Sequence, residues 1–512
     1  MLSVWSTPIS KLKMMSSIKT LALGLLRTSL KTALVVLALA WYARRRFRQY
    51  VKDNYDPIPL PAMEDYSDKI QSSSLLYAVG AAALPPEEQL EIFKKMGMPK
   101  YFKSRLFFVP NVSCTVKEDR ELASTKRKSP LYEVYRPFLG YHSILFQEGA
   151  KARKEREMLN KGFGQQTYRS LHSVMINASQ RLLERMKEET NRQGFFDVEQ
   201  LVSRATLEVI AEGGFSFRAD QPENIGYLDA LKRLMRIPGS PVCLLPYGTE
   251  FAKWWNRDAL NKVQELLDRT VTERLNREAD AENTESPTDL LDLVIASSKM
   301  GGDVPDVAWI RDQVNLLFIG GSDTSSVTLW WGFLVLGARP DIQEKIKQEI
   351  TDVFSRVSDP YERVANLKYT EAFIKEILRM YPPFNGVSRR LDDDEHELRG
   401  VPIKKSNWLV VHYHAYFVQH RDEYFPNADE FSPERWLTGK ADAEAFAAFS
   451  SGFRACLGKN FAMIEMKTIL GHVLEKHRVV PVDTNTKFPS IGYVGQVASP
   501  IGRFDLKIVH DE

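Results

Sequence analysis

Phe449-Ser450-Ser451-Gly452-Phe453-Arg454-Ala455-Cys456-Leu457-Gly458 sets a cysteine between two glycines near the end of a 512-residue chain. Glycine reaches backbone angles closed to other residues, so N–H groups can approach a sulfur closely. Those donors, the guanidinium of Arg454 and the positive end of a helix starting near Phe461 favour the thiolate, the form that binds metal. A lone cysteine beside a turn is ordinarily a buried structural residue. Five fixed letters around this one change the balance, since such a pattern arises by chance in about one of several thousand chains of this length.

Two further segments carry polar residues at suggestive spacing. Gly320-Gly321-Ser322-Asp323-Thr324-Ser325 interrupts a long helical pattern, Ala308 to Ala338. Each glycine inside a helix costs about 1 kcal/mol relative to alanine. Close helix packing is one compensation. Room for a diatomic ligand, with Asp323 and Thr324 beside it, is the other. Upstream of the cysteine, Lys375-Glu376-Ile377-Leu378-Arg379 puts an acid and a base three apart on one helix face. Pro433-Glu434-Arg435-Trp436 follows. A lone pair of this kind is usually a surface ion pair of little worth.

Taken in order, these segments resemble the cytochrome P-450 family. Phe-x-x-Gly-x-Arg-x-Cys-x-Gly matches its haem-binding signature in full. Glu376 to Arg379 and Pro433 to Arg435 look like its Glu-x-x-Arg helix and Pro-Glu-Arg segment. Gly320 to Ser325 resembles its oxygen-activation motif. The resemblance spans roughly residues 55 to 510. It implies a mainly helical fold with a minor β-sheet region and a long central helix over haem b.

Site roles come with the resemblance. Cys456 is implied as axial thiolate ligand of the haem iron, a ligand that favours O–O cleavage. Phe449 and Gly458 frame it, and Arg454 pairs with a haem propionate. Arg156 fits the arginine of the family's Trp-x-x-x-Arg helix, although Ala152 stands where tryptophan is usual. Arg390 resembles another propionate-binding arginine, with Arg389 as its rival. Thr324 is implied to hold dioxygen and a water, and Asp323 to feed protons. Glu376, Arg379 and Arg435 form a buried structural network. Phe318, Gly320, Phe384, Val387, Tyr493 and Val494 are expected to wall a substrate pocket.

The implied reaction inserts one oxygen atom of O2 into a lipophilic small molecule, a steroid, terpenoid or fatty acid, most readily as a hydroxylation. Nothing reads as a flavin or nicotinamide module. Electrons from NADPH are therefore expected through a separate flavoprotein reductase, with Lys151, Arg153 and Lys154 as a docking patch. A haem-thiolate isomerase or lyase that needs no oxygen is an alternative, opposed by Asp323 and Thr324. A non-catalytic lipid-binding protein is another, opposed by the intact cysteine loop.

The elements that must position these residues read as helices. Patterns run from Glu148 to Phe163, Val174 to Gln193, Asp258 to Ala281, Ala308 to Ala338 and Asp341 to Ser355. Strand-like pieces are Arg105 to Val109, Glu397 to Val401 and Trp408 to His412. Glu278 to Thr288 reads as an exposed loop. There is no internal repeat and no long linker after residue 70, so residues 63–512 are expected to form one catalytic unit.

The leader differs in character. The formal net charge is +3, yet no acid occurs before Asp53, where ten bases fall; the remaining chain carries 59 bases against 66 acids. The excess positive charge sits in the leader, so a nucleic-acid partner is not expected. Residues 33 to 43 are wholly apolar or aromatic, and the stretch back to Leu21 suffices to span a bilayer. Arg27 and Lys31 interrupt it, and Arg44-Arg45-Arg46-Phe47-Arg48 follows as a stop-transfer cluster. Residues 1–50 are therefore expected to be a single transmembrane helix in the endoplasmic reticulum, with the body cytosolic. A helix lying in the interface and a mitochondrial transit peptide are the rivals. Pro57, Pro59 and Pro61 stiffen a connector over residues 51–62. Cys114, Cys243 and Cys456 do not suggest a disulfide framework, and a reducing compartment is the simpler reading. Asn111-Val112-Ser113 and Asn177-Ala178-Ser179 match the glycosylation pattern, here taken as chance matches.

Overall fold

The computed structural model describes residues 58–72, 84–106, 109–217, 248–280, 289–299, 306–391, 397–402, 410–494 and 497–511, with isolated positions between them. The expected transmembrane segment and most of the connector lie outside the described residues. Among the described residues, no helix is long and apolar enough to cross a membrane.

Helices dominate. The ones that frame the site are α1 (Gly149–Asn160), α2 (Gln165–Gln193), α3 (Val198–Glu208), α4 (Gly248–Trp255), α5 (Arg257–Asp280), α6 (Val307–Ala338), α7 (Pro340–Arg356), α8 (Lys368–Met380) and α9 (Lys459–Leu474). The expected helices lie where the periodicity put them, with one difference. Helix α2 begins nine residues before Val174, because Tyr168, Leu171 and His172 are buried and extend its inner face.

Helix α6 is the axis. The Asp306 carboxylate caps it, accepting from the Ala308 N–H at 2.9 Å. Its residues are buried around most of the circumference, as expected of a helix running through a core rather than along a surface. Two apolar clusters meet along it. One gathers Ile310, Val314 and Phe318 with α2, α5 and Phe461. The other gathers Val327 to Leu336 with α7, α8 and Met466 to Leu474 of α9. The turn Gly320–Ser325 falls between the two.

Strands are few and short. A five-stranded sheet has the order β1 (Tyr101–Leu106), β2 (Val109–Cys114), β5 (Val410–Tyr413), β4 (Val387–Arg390), β3 (Arg127–Lys128). The expected Arg105–Val109 strand overlaps the ends of two antiparallel strands, which the apolar run alone does not reveal. The expected Glu397–Val401 strand is a hairpin of two-residue strands. Hairpins Ser490–Val494 with Val497–Ile501, and His477–Pro481 with Leu506–His510, complete the sheets. Both glycosylation triplets lie in regular elements with their serines buried, Ser113 in β2 and Ser179 in α2.

Candidate functional site

The cysteine loop is closed at its base by one backbone bond, Cys456 N–H to the Phe449 carbonyl at 2.8 Å. A single turn, Gly452–Arg454, fills the middle, and α9 starts at Lys459. Gly452 has φ +61°, and a Cβ there would lie 2.6 Å from Ser124 Cβ. Both conformation and space demand glycine. Gly458 differs from expectation. Its φ is an ordinary −87°, and a Cβ there would meet nothing within 4 Å. Ser450, at φ +58°, holds the left-handed position that Gly458 does not.

The loop bridges the two cores. Phe449 packs against one cluster, while Leu457 and Phe461 join the other. Cys456 is solvent-accessible, yet burial pushes its thiol up, opposed by the Gly458 N–H, Arg156 and Lys459. A sulfur facing an internal cleft reconciles the two. Arg454 is engaged with Glu148 at 2.7 Å. Arg156 is the guanidinium that acts on the sulfur, and it also donates to the Ala455 carbonyl.

On α6 the two glycines do different work. A Cβ at Gly320 would meet nothing within 4 Å, and this glycine is exposed inside an otherwise buried helix. A Cβ at Gly321 would lie 2.9 Å from Ile210 Cδ1, in a π-turn at Val209–Gly213. Thus Gly321 serves packing and Gly320 leaves open space. The helix runs unbroken through both. Thr324 Oγ1 donates to the Gly320 carbonyl at 3.0 Å, and the Ser326 and Thr328 hydroxyls donate to Asp323 and Thr324 carbonyls at 2.9 and 2.8 Å. Such back-bonding loosens the ladder around the turn.

The acid–base network is complete and buried. Glu376 accepts from Arg379 Nε and Nη2, both at 2.9 Å, and from Arg435 Nε at 3.0 Å. Ser432 N–H and Trp436 Nε1 also donate to it, each at 2.9 Å. Arg379 continues to the Gln419 carbonyl at 2.9 Å. The Gln419 side chain then accepts from Ala447 N–H at 2.9 Å, on the approach to the cysteine loop. Trp436 and Gln419 were not singled out in the sequence; a neutral donor has no pattern of its own.

Cations converge beside the loop. A cavity of about 680 Å³ is lined by Arg127, Lys128, Arg390 and Arg454 among others. Burial, with Arg454 and Arg389 nearby, pushes the Lys128 ammonium down to about 6. Arg454 bonds Glu148 at 2.7 Å. The Nε atoms of Arg390 and Arg454 are buried with no hydrogen-bond partner among the described residues. Arg390 lines this cavity, whereas Arg389 is buried and turns to the Ser388 carbonyl and the Tyr132 hydroxyl. Lys128 lies far from the cysteine in sequence, and spacing could not have found it.

The expected pocket residues are scattered in role. Phe318 is buried and stacked on Phe215, with ring centroids 4.4 Å apart. Phe384 is exposed, and Val387 begins β4. The side chains of Tyr493 and Val494 lie outside the described residues. Their backbones pair with Ala498 and Val497, and the Ala498 N–H reaches the Pro383 carbonyl at 2.9 Å. That bond brings their hairpin beside Phe384.

An accessible soft sulfur, open floor at Gly320 and buried cations with free valences fit a haem, its iron and its two carboxylates. Residues 113–508 match the family model for cytochrome P450. The chain belongs to the cytochrome P450 family. This P450 is 28% identical over 418 residues to Cytochrome P450 4V2 of Homo sapiens, covering 76% of this chain and 78% of that one. It is 27% identical over 442 residues to Probable cytochrome P450 4d20 of Drosophila melanogaster, covering 78% and 85%. To Cytochrome P450 4A7 of Oryctolagus cuniculus it is 25% identical over 375 residues, covering 70% and 73%. It is a haem-dependent monooxygenase acting on lipophilic substrates with O2.

Proposed function

We propose that this P450 is a membrane-anchored hydroxylase of a steroid, terpenoid or fatty acid, supplied with electrons by an NADPH-dependent flavoprotein reductase. One observation carries the reading. The Cys456 loop and the Gly320–Ser325 turn both lie where the same two apolar clusters meet. Haem bound there through Cys456 supplies oxygen activation.

The chain's own groups have the following parts. Arg454 and Arg390 would hold the propionates, with Arg156 near Cys456. Gly320 leaves open space beside Thr324. Thr324 orients a water through a hydroxyl already anchored on the Gly320 carbonyl, and Asp323 passes protons in from solvent. Glu376, Arg379 and Arg435 fix the segment leading to the loop. Phe318 supports the substrate wall from behind, with Phe384, Val387, Tyr493 and Val494 along it.

Residues 1–50 form the anchor, 51–62 the connector and 63–512 the catalytic unit, in the endoplasmic reticulum membrane. Support comes from the leader's charge pattern and from α4, where Phe251, Trp254 and Trp255 are all exposed and touch one another. Such aromatic trios suit a lipid interface. Reductase docking falls on α1. Lys151, Arg153 and Lys154 are exposed, and Arg153 lies 4.3 Å over the Phe453 ring of the cysteine loop.

The test uses purified full-length protein. The dithionite-reduced, CO-treated protein is expected to show the red-shifted Soret band of a thiolate ligand. A panel of steroids, fatty acids and terpenes is screened for low-to-high spin conversion, then for product with reductase, NADPH and O2. Absence of the red-shifted band, or turnover without NADPH, rejects the reading.

A further inference from the structure

Glu465 is a buried acid that the site described so far does not use. It lies on α9, nine positions after Cys456, and is completely buried. Neither carboxyl oxygen has a hydrogen-bond partner within ordinary bonding distance among the described residues. The polar group facing it is the Ser325 hydroxyl of α6. That hydroxyl is itself buried and otherwise unpartnered. Ser325 directly follows Thr324 on the turn.

The place is as informative as the chemistry. Ile464 packs into one apolar cluster and Met466 into the other. Glu465 therefore stands at the same seam as the cysteine loop and the Gly320–Ser325 turn. An isolated buried carboxylate is very costly, whereas a neutral acid facing a hydroxyl is tolerable. Burial pushes the acid up to about 8, and only the Ser325 contact opposes it. Charged and titratable groups on neighbouring elements are engaged elsewhere. His172 of α2 bonds Thr468, Glu371 of α8 pairs with Lys467, Lys347 of α7 caps the Leu474 carbonyl, and Tyr361 lies against His172.

We propose that Glu465 is a positioning residue: held as a neutral acid, it ties the helix that follows Cys456 to the turn bearing Asp323 and Thr324, through Ser325. The inference rests on the proposed roles of Cys456 and Thr324. Glu465 sets the register between two segments that must face each other across the cleft. A glutamine keeps the shape and a donor, and a leucine keeps only the bulk.

Three variants of the full-length holoprotein test this: E465Q, E465L and S325A. Infrared spectra at pH 7 are expected to show a protonated-carboxyl stretch in the wild type that E465Q and E465L lack. With dodecanoic acid as probe and reductase present, the share of NADPH electrons lost to hydrogen peroxide is measured. E465L and S325A are expected to raise it about fivefold, the ratio that one neutral hydrogen bond is worth. E465Q is expected to match the wild type. All three are expected to keep the red-shifted CO band. If E465L does not fold, S325A carries the comparison. Absence of the protonated band, or peroxide loss unchanged in both E465L and S325A, overturns the proposal. A wild type without the red-shifted CO band instead overturns the reading beneath it.

Discussion

Ile210 occupies the space that a side chain at Gly321 would need, with only 2.9 Å from its Cδ1 to an ideal Cβ. The neighbouring Gly320 faces nothing within 4 Å. Adjacent glycines of one motif are therefore separable by experiment.

Replacing Gly320 with alanine removes the helix penalty without a clash, so G320A should gain about 0.5–1 kcal/mol of stability. It should also crowd the site and lower turnover. In G321A the same propensity gain is offset by overpacking worth about 1–3 kcal/mol, leaving a net loss. Thermal melts of the two variants should move in opposite directions. Melts that move together would show that packing at Ile210 does not distinguish them.

The Glu376 network makes a second prediction. Removing one partner of a buried ion pair costs about 3–5 kcal/mol, because the other charge is left stranded. R379A and E376A are expected to lose that much and to fail to retain haem. W436F removes a single donor to a charged acceptor and should cost about 1.5–3 kcal/mol. Denaturant unfolding followed by haem absorbance ranks them, and W436F equal to E376A would contradict the stated order.

Lys128 is expected to link haem retention to pH. Its ammonium is pushed down to about 6 by burial and neighbouring guanidinium groups. An adjacent carboxylate restores the charge, so haem binding takes up a proton at this site above about pH 6. Haem affinity should then fall as pH rises from there. K128M should flatten that slope and hasten haem transfer to apomyoglobin by about tenfold, as for a lost charge-assisted hydrogen bond. An unchanged slope would remove Lys128 from the haem site.

Glu465 gives stability a pH dependence of defined sign. Its folded-state value is raised from 4.5 to about 8. Below the unfolded value both states are protonated and the wild type should equal E465Q in this respect. As pH rises, the unfolded chain ionises first, and the wild type loses stability until the folded acid ionises too. The shortfall relative to E465Q should approach at most about 5 kcal/mol. Urea midpoints of the two proteins, measured from pH 5 to 8, should diverge steadily. Parallel curves would mean the acid is not held neutral.

The sequence carried the long elements well because each buries a periodic face. The span Val307–Ala338 was legible to within one residue. The cysteine loop and the Glu376, Arg379 and Arg435 triad were legible because their spacing is local or their order is fixed. What stayed hidden depends on tertiary placement. Of the two flanking glycines only Gly452 has a positive φ, and Ser450 rather than Gly458 shares that conformation. Arg156 was expected only at the haem, yet it donates to the Ala455 carbonyl beside Cys456. Ser325 and Glu465, 140 positions apart in sequence, meet only because two helices cross.

The pairing of β3 with β4 sets Arg127 opposite Arg390 and Lys128 opposite Arg389. Like charges facing across a two-residue ladder repel, and Arg389 is among the groups that hold the Lys128 ammonium down. This margin of the sheet is thus electrostatically frustrated by its own sequence, and a dicarboxylate bound beside it would relieve the repulsion. On the proposed reading the prosthetic group would complete this edge, and the haem-free protein is expected to be least stable at that border.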